Sequence, residues 1–233
     1  MGLSNVRANG YTSFSPYGMA RRLFNAALAA LFAFGVWSMN AAAEAAPLRL
    51  VALGDSLTAG YGLPPEQGFT VVLEKALKAK GYNVQVVNAG VSGDTTTGGR
   101  ARLEWTLGDK PDAMIVELGA NDMLRGVDPG VARANLDAIL KTVTGRKIPV
   151  LLAGMYASGT YGKVYVERFN AIYPELAQTY GVPLYPFFLE GVATDARLNQ
   201  GDGIHPNAAG VQKIVEGILP HVTRLLDGLA QGG

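Results

Sequence analysis

The chain has 233 residues, 48% hydrophobic and 17% charged, a balance that supports a sizeable buried core. It has no cysteine, which excludes thiol catalysis and cysteine-ligated metals, and only two histidines. A formal charge of +1 gives no strongly basic face, so nucleic acid is not an expected partner.

The first segment reads as a leader. Met19-Ala20-Arg21-Arg22 precedes an apolar run over residues 23–39, interrupted by Asn25, Gly35 and Ser38, and Ala41-Ala42-Ala43-Glu44-Ala45-Ala46 follows. A charged start, a short apolar middle and an Ala-x-Ala end describe a secretory signal peptide. The run is shorter than the ~20 apolar residues a membrane span needs, and no basic stop follows, so no stable anchor is expected. Residues 1–46 are therefore read as a signal peptide with an upstream segment, Met19 being a second candidate start. A periplasmic or secreted location follows, by general export ahead of the twin-arginine route that Arg21-Arg22 also resembles. Residues 47–233 then form one domain. Losing residues 1–46 removes three of the 20 basic and one of the 19 acidic residues, which leaves a charge of −1.

Short apolar runs over 48–53, 84–87, 113–118, 149–155 and 182–188 predict strands. Their near-continuous hydrophobicity suits a parallel sheet buried on both faces. Amphipathic stretches over 69–80, 97–108, 129–145 and 165–181 predict helices between them, with Gly81, Gly145 and Gly181 at C-cap positions. Val211, Ile214, Val215, Ile218 and Leu219 form the apolar stripe of a last helix. The alternation predicts an α/β fold, a three-layer α/β/α sandwich on a five-stranded parallel sheet with right-handed crossovers.

Ligands of such sheets bind beyond the carboxyl ends of the strands, and each unusual cluster lies there. Gly54-Asp55-Ser56-Leu57 follows the first strand, residues 88–95 the second, and Gly119-Ala120-Asn121-Asp122 the third. Asp202-Gly203-Ile204-His205-Pro206-Asn207 precedes the last helix. Serine needs a base to become a nucleophile, and histidine is the usual one. His205 has Asp202 three residues before it, close enough for a carboxylate to orient the imidazole. His221, beyond Pro220, reads as a packing or surface residue. The Ser56 N–H, a glycine N–H after the second strand and the Asn121 amide can serve as oxyanion donors, and Gly93 suits the second role. Singly, Ser56 and Asn207 read as helix caps and the other clusters as turns. Jointly they supply nucleophile, base, orienter and donors.

Gly54-Asp55-Ser56-Leu57, Gly93, Asn121 and Asp202-x-x-His205 together resemble the four blocks of the SGNH, or GDSL, hydrolase family. Residues 116–122 with Leu124-Arg125-Gly126, Ile172-Tyr173-Pro174 and residues 183–188 resemble its periplasmic thioesterase, lysophospholipase and arylesterase group. The resemblance implies a flavodoxin-like fold and a serine esterase or thioesterase acting on acyl or aryl esters through an acyl-enzyme. Two histidines so placed and no cysteine form no ligand cluster, so no metal and no cofactor are expected. It implies Ser56 as nucleophile, His205 as base, Asp202 as its partner, and Ser56, Gly93 and Asn121 as the oxyanion hole. Asp55 is expected to support its loop rather than the chemistry. An α/β-hydrolase elbow would need glycine where Thr58 stands.

Two other readings compete. The hydroxyl- and glycine-rich residues 93–99 can be imagined cradling a flavin phosphate in a non-catalytic binding module, but this leaves Ser56, Asp202 and His205 without purpose. An O-acetyl carbohydrate esterase would use Tyr156, Tyr161 and Tyr165 against sugar faces, whereas Leu124, Val127 and Met155 favour an acyl or aryl group.

Overall fold

The structure is a computed structural model that describes residues 46–231. The leader and the candidate start at Met19 lie outside the described residues. Strands β1 (Leu48–Gly54), β2 (Val84–Gly90), β3 (Ala113–Glu117), β4 (Val150–Ala153) and β5 (Leu184–Tyr185) form one parallel sheet in the order β2-β1-β3-β4-β5. Residues 50–53 of β1 and all of β3 and β4 are buried, as their apolar runs require, with Glu117 buried at the end of β3 as well. Helices α1 (Ser56–Ala59) and α2 (Phe69–Ala79) follow β1, and α3 (Thr96–Ala101) and α4 (Leu103–Leu107) follow β2. Next come α5 (Ala120–Leu124), α6 (Pro129–Gly145), α7 (Lys163–Asn170), α8 (Ile172–Tyr180) and α9 (Ala208–Gln231). Helix α9 packs on α2, while α6 packs on α3 and α8. In the stripe of α9, Val211, Ile214, Val215 and Ile218 are buried and Leu219 is half-buried.

Three elements differ from their sequence-based expectations, two of them beside prolines. The fifth strand is expected over 182–188 but pairs only at Leu184 and Tyr185. Pro183 has no N–H to give the ladder, and past Tyr185 the Gly154 carbonyl takes the N–H of Phe188, two places beyond Pro186, so regular pairing ends there. The helix expected over 165–181 is two helices. Pro174 cannot donate to the Asn170 carbonyl and its ring would crowd it, and the chain breaks at Ala171. The helix expected over 97–108 also divides, at Arg102, after Gly98-Gly99, which are weak helix formers.

Register places the site. Gly54 lies opposite Gly90 on one side and Glu117 on the other, so β1, β2 and β3 end level with one another. Ser56, Gly93 and Asn121 leave the sheet from those ends and emerge on the same edge. The strand order reverses between β1 and β3, which is where open α/β sheets form ligand crevices.

Candidate active site

Ser56 opens α1 directly after β1. Asp55 caps that helix, accepting the Leu57 N–H at 3.0 Å. Only a glycine fits before it, because a Cβ at Gly54 would lie 2.0 Å from Thr58 Oγ1 and 2.6 Å from Glu117 Oε2. Ser56 is 8% exposed, and its Oγ lies 2.9 Å from Nε2 of His205.

His205 is held from several sides. Its Nδ1 is 2.6 Å from Asp202 Oδ2, and Asp202 Oδ1 accepts the backbone N–H groups of Ile204 and His205, each at 3.0 Å. The His205 N–H, the His205 ring and the Ile204 N–H together hold the Asp202 carboxyl down at about 2. Tyr61 leans on the imidazole with ring centroids 4.5 Å apart. Gln200 donates its backbone N–H to the His205 carbonyl at 2.7 Å and its side-chain amide to the Tyr61 and Pro206 carbonyls. Asn207 caps α9 through the Gly210 N–H at 3.1 Å, so its cap role and the loop's shape go together. Such a chain of groups can carry the Ser56 proton to the imidazole.

The donors are arranged less evenly. Asn121 lies in the first turn of α5 and lines the same cavity as Ser56 and His205. Gly93 does not line that cavity. It sits in the loop after β2 with φ +84°, a conformation suited to glycine, and its carbonyl accepts Arg125 Nη2 at 2.7 Å. Arg125 therefore ties the Gly93 loop to the end of the Asn121 helix. Among the described residues, the backbone N–H groups of Ser56 and Gly93 have no acceptor within the protein.

Residues 93–99 do not offer a phosphate cradle. The Thr96 N–H and hydroxyl both go to the buried Asp122 carboxylate at 2.7 Å, and the Thr95 side chain caps α3. The Thr96 donors are already engaged, and the carboxylate would repel an anion.

The cavity encloses about 650 Å³. Leu57, Met123, Leu124, Met155, Leu189 and Ile204 make much of its wall apolar, and Tyr156 stacks on Phe187 at 4.8 Å. Tyr161 also lines it. Val127 and Tyr165 do not: the Tyr165 hydroxyl donates to the Val127 carbonyl at 2.9 Å and braces that loop from behind. His221 stands apart, 5.1 Å from the Tyr185 ring on α9, where burial and then Arg224 hold it below the ordinary histidine value. Among the described residues, no group of three or more His, Asp or Glu side chains converges as metal ligands do.

Sequence reasoning missed two features. One is the pairing of Arg102 with Asp94 at 2.6 Å while its other nitrogens hold the Gly54 and Ala89 carbonyls, a clasp on the ends of β1 and β2. The other is the burial of Asp55 and Glu117 side by side. The only local signal was a glutamate ending an otherwise apolar strand.

Comparison with known proteins bears on the chemistry. Residues 52–213 match the model of the GDSL-like lipase/acylhydrolase family. The chain belongs to this family. The SGNH hydrolase is 40% identical over 184 residues to esterase TesA of Pseudomonas aeruginosa, covering 78% of this chain and 92% of the relative. It is 42% identical over 164 residues to thioesterase 1/protease 1/lysophospholipase L1 of Escherichia coli K12, covering 70% and 77%. The crystal structure of AlinE4, an SGNH-hydrolase family esterase, superposes with a TM-score of 0.66 at 46% identity, covering 77% of this chain and 97% of that one. Membership makes this protein a carboxylic ester hydrolase.

Proposed function

We propose that the SGNH hydrolase cleaves acyl or aryl esters and thioesters through an acyl-enzyme on Ser56. One observation carries this reading: the hydrogen-bonded series from Ser56 Oγ to His205 Nε2 and from His205 Nδ1 to Asp202. The ionised Asp202 accepts Nδ1–H, which leaves Nε2 free to take the Ser56 proton as Oγ attacks the carbonyl carbon. The charge on the carbonyl oxygen falls to the N–H groups of Ser56 and Gly93 and to the Asn121 amide. Collapse expels the alcohol or thiol, which takes the proton from His205. Water then repeats the sequence on the acyl-serine.

The apolar cavity beside Ser56 seats the acyl or aryl group. Its exposed wall is mostly apolar although Ser158, Thr160, Thr194 and Asn199 also line it, so an O-acetyl carbohydrate ester ranks second. A fluorophosphonate should add its mass to the peptide holding Ser56 and stop turnover. Labelling elsewhere with activity lost would overturn the assignment.

Residues 1–46 serve this enzyme as a leader, and residues 47–233 as the exported hydrolase domain, consistent with the charged start and short apolar run. Protein recovered from the periplasm or medium of a Gram-negative host should begin near Pro47. An intact chain retained in the membrane fraction would refute processing.

A further inference from the structure

Two carboxyl groups are buried directly behind Ser56, and the proposed chemistry uses neither. Asp55 and Glu117 are both fully buried. Among the described residues no lysine or arginine nitrogen bonds to either. Glu117 Oε2 accepts the Thr58 hydroxyl at 2.7 Å and the Asp55 N–H at 3.4 Å, while its Oε1 has no partner among the described residues. Asp55 is better supplied: Oδ1 accepts the Leu57 N–H at 3.0 Å, and Oδ2 accepts Asn121 Nδ2 at 3.1 Å. A buried charge needs donors, so the single negative charge of this pair settles on Asp55, and Glu117 stays a neutral acid.

The physical tendencies agree. Burial, and then the charge of Asp55, raises the Glu117 carboxyl well above the ordinary range. Burial raises Asp55 only to about 6, because the Leu57 N–H, the Asn121 amide and the charge of His205 oppose it. Near neutral pH Asp55 is ionised.

The bond to Asn121 spans 66 residues of sequence and joins the end of β1 to the start of α5. A primary amide has two N–H groups and one oxygen, and a free amide can present either end to the site. A carboxylate accepts hydrogen bonds and cannot donate them. It therefore selects the orientation in which Nδ2 faces Asp55, and one N–H remains to point elsewhere. The Asn121 side chain has no other hydrogen bond among the described residues, and it lines the cavity with Ser56. We propose that Asp55 is a positioning residue of the oxyanion hole, whose buried carboxylate fixes the Asn121 amide with its second N–H toward the ester oxygen. This rests on the reading of Asn121 as an oxyanion donor. It gives Asp55 a task in the reaction beyond supporting its loop.

The test is a double-mutant cycle on a soluble p-nitrophenyl ester, with kcat, KM and melting temperature measured for each protein. Asn121→Ala should lose roughly 10²–10³ in kcat with KM little changed. Asp55→Asn keeps the shape, but its own amide can meet Asn121 with a donor and turn that amide round, so kcat should fall on the order of 10²-fold. Asp55→Ser keeps an oxygen for the Leu57 N–H, no longer reaches Asn121, and should behave likewise. In the Asn121→Ala background neither Asp55 change should cost more than about twofold further. An equal loss in both backgrounds would show that Asp55 acts through α1 or general stability and would overturn its action through Asn121. Wild-type kcat in both folded Asp55 variants would overturn it too. A wild-type kcat in Asn121→Ala would instead remove Asn121 from the hole, and the role of Asp55 with it.

Discussion

Replacement of Ser56 by alanine should lower kcat on the order of 10⁶-fold, about 8 kcal/mol in barrier height. The change deletes the one atom that would bond to the substrate carbon, and no cysteine is present to substitute for it. Little else depends on that atom, because among the described residues Oγ bonds only to His205 Nε2 at 2.9 Å, and the ring stays held by Asp202 and Tyr61. KM and melting temperature should therefore change little. A slow residual rate is expected, because the remaining donors and His205 can still act on a bound water. Titration with a fluorophosphonate separates that residue from traces of active enzyme: the variant should show no labelled sites. A variant within tenfold of wild-type kcat would remove Ser56 as the nucleophile.

Asp202→Asn should cost roughly 10⁴-fold in kcat, again with KM nearly constant. The asparagine oxygen can keep the two backbone bonds at 3.0 Å that shape the turn, so the loop survives. Its NH₂ then faces His205 Nδ1, which must become an acceptor. The ring proton moves to Nε2, where it points at Ser56 Oγ, and the imidazole can no longer remove the serine proton. The variant differs from wild type in acid as well. The carboxyl of Asp202 is held down at about 2, below its unfolded value of ~3.9. Its contribution to stability is present above ~3.9 and is lost as pH falls toward about 2. Acid unfolding of Asp202→Asn should lack that part of the slope between pH ~4 and 2. A fully active variant, measured by initial rates at neutral pH, would show that His205 needs no carboxylate partner.

Much of this protein is legible in the sequence because the relevant signals are local. Strands buried on both faces are largely apolar, so β1, β3 and β4 appear as apolar runs within a residue or two of their ends, Arg49 and Glu117 being the exceptions. Three clusters of unusual residues directly follow β1, β2 and β3, and a parallel sheet presents every such position at one edge. Ser56 and Asn121 are therefore grouped by their strand exits, and the short spacing of Asp202 and His205 ahead of the last helix pairs those two. What the sequence left open turns on contacts between distant segments. Regular pairing of β5 ends at Tyr185 because the Gly154 carbonyl, more than thirty residues earlier in the chain, takes the N–H of Phe188. Tyr165 reads as a cavity residue, yet its hydroxyl turns back to Val127. Gly93 meets the Asn121 helix through Arg125, and Asp55 reaches Asn121 across 66 residues. Sequence determined which chemistry stands at the sheet edge, because strand exits and short spacings are local properties. Tertiary structure alone decided which atom of each loop faces which, because the register of β1 against β2 and β3 brings those loops within hydrogen-bond reach.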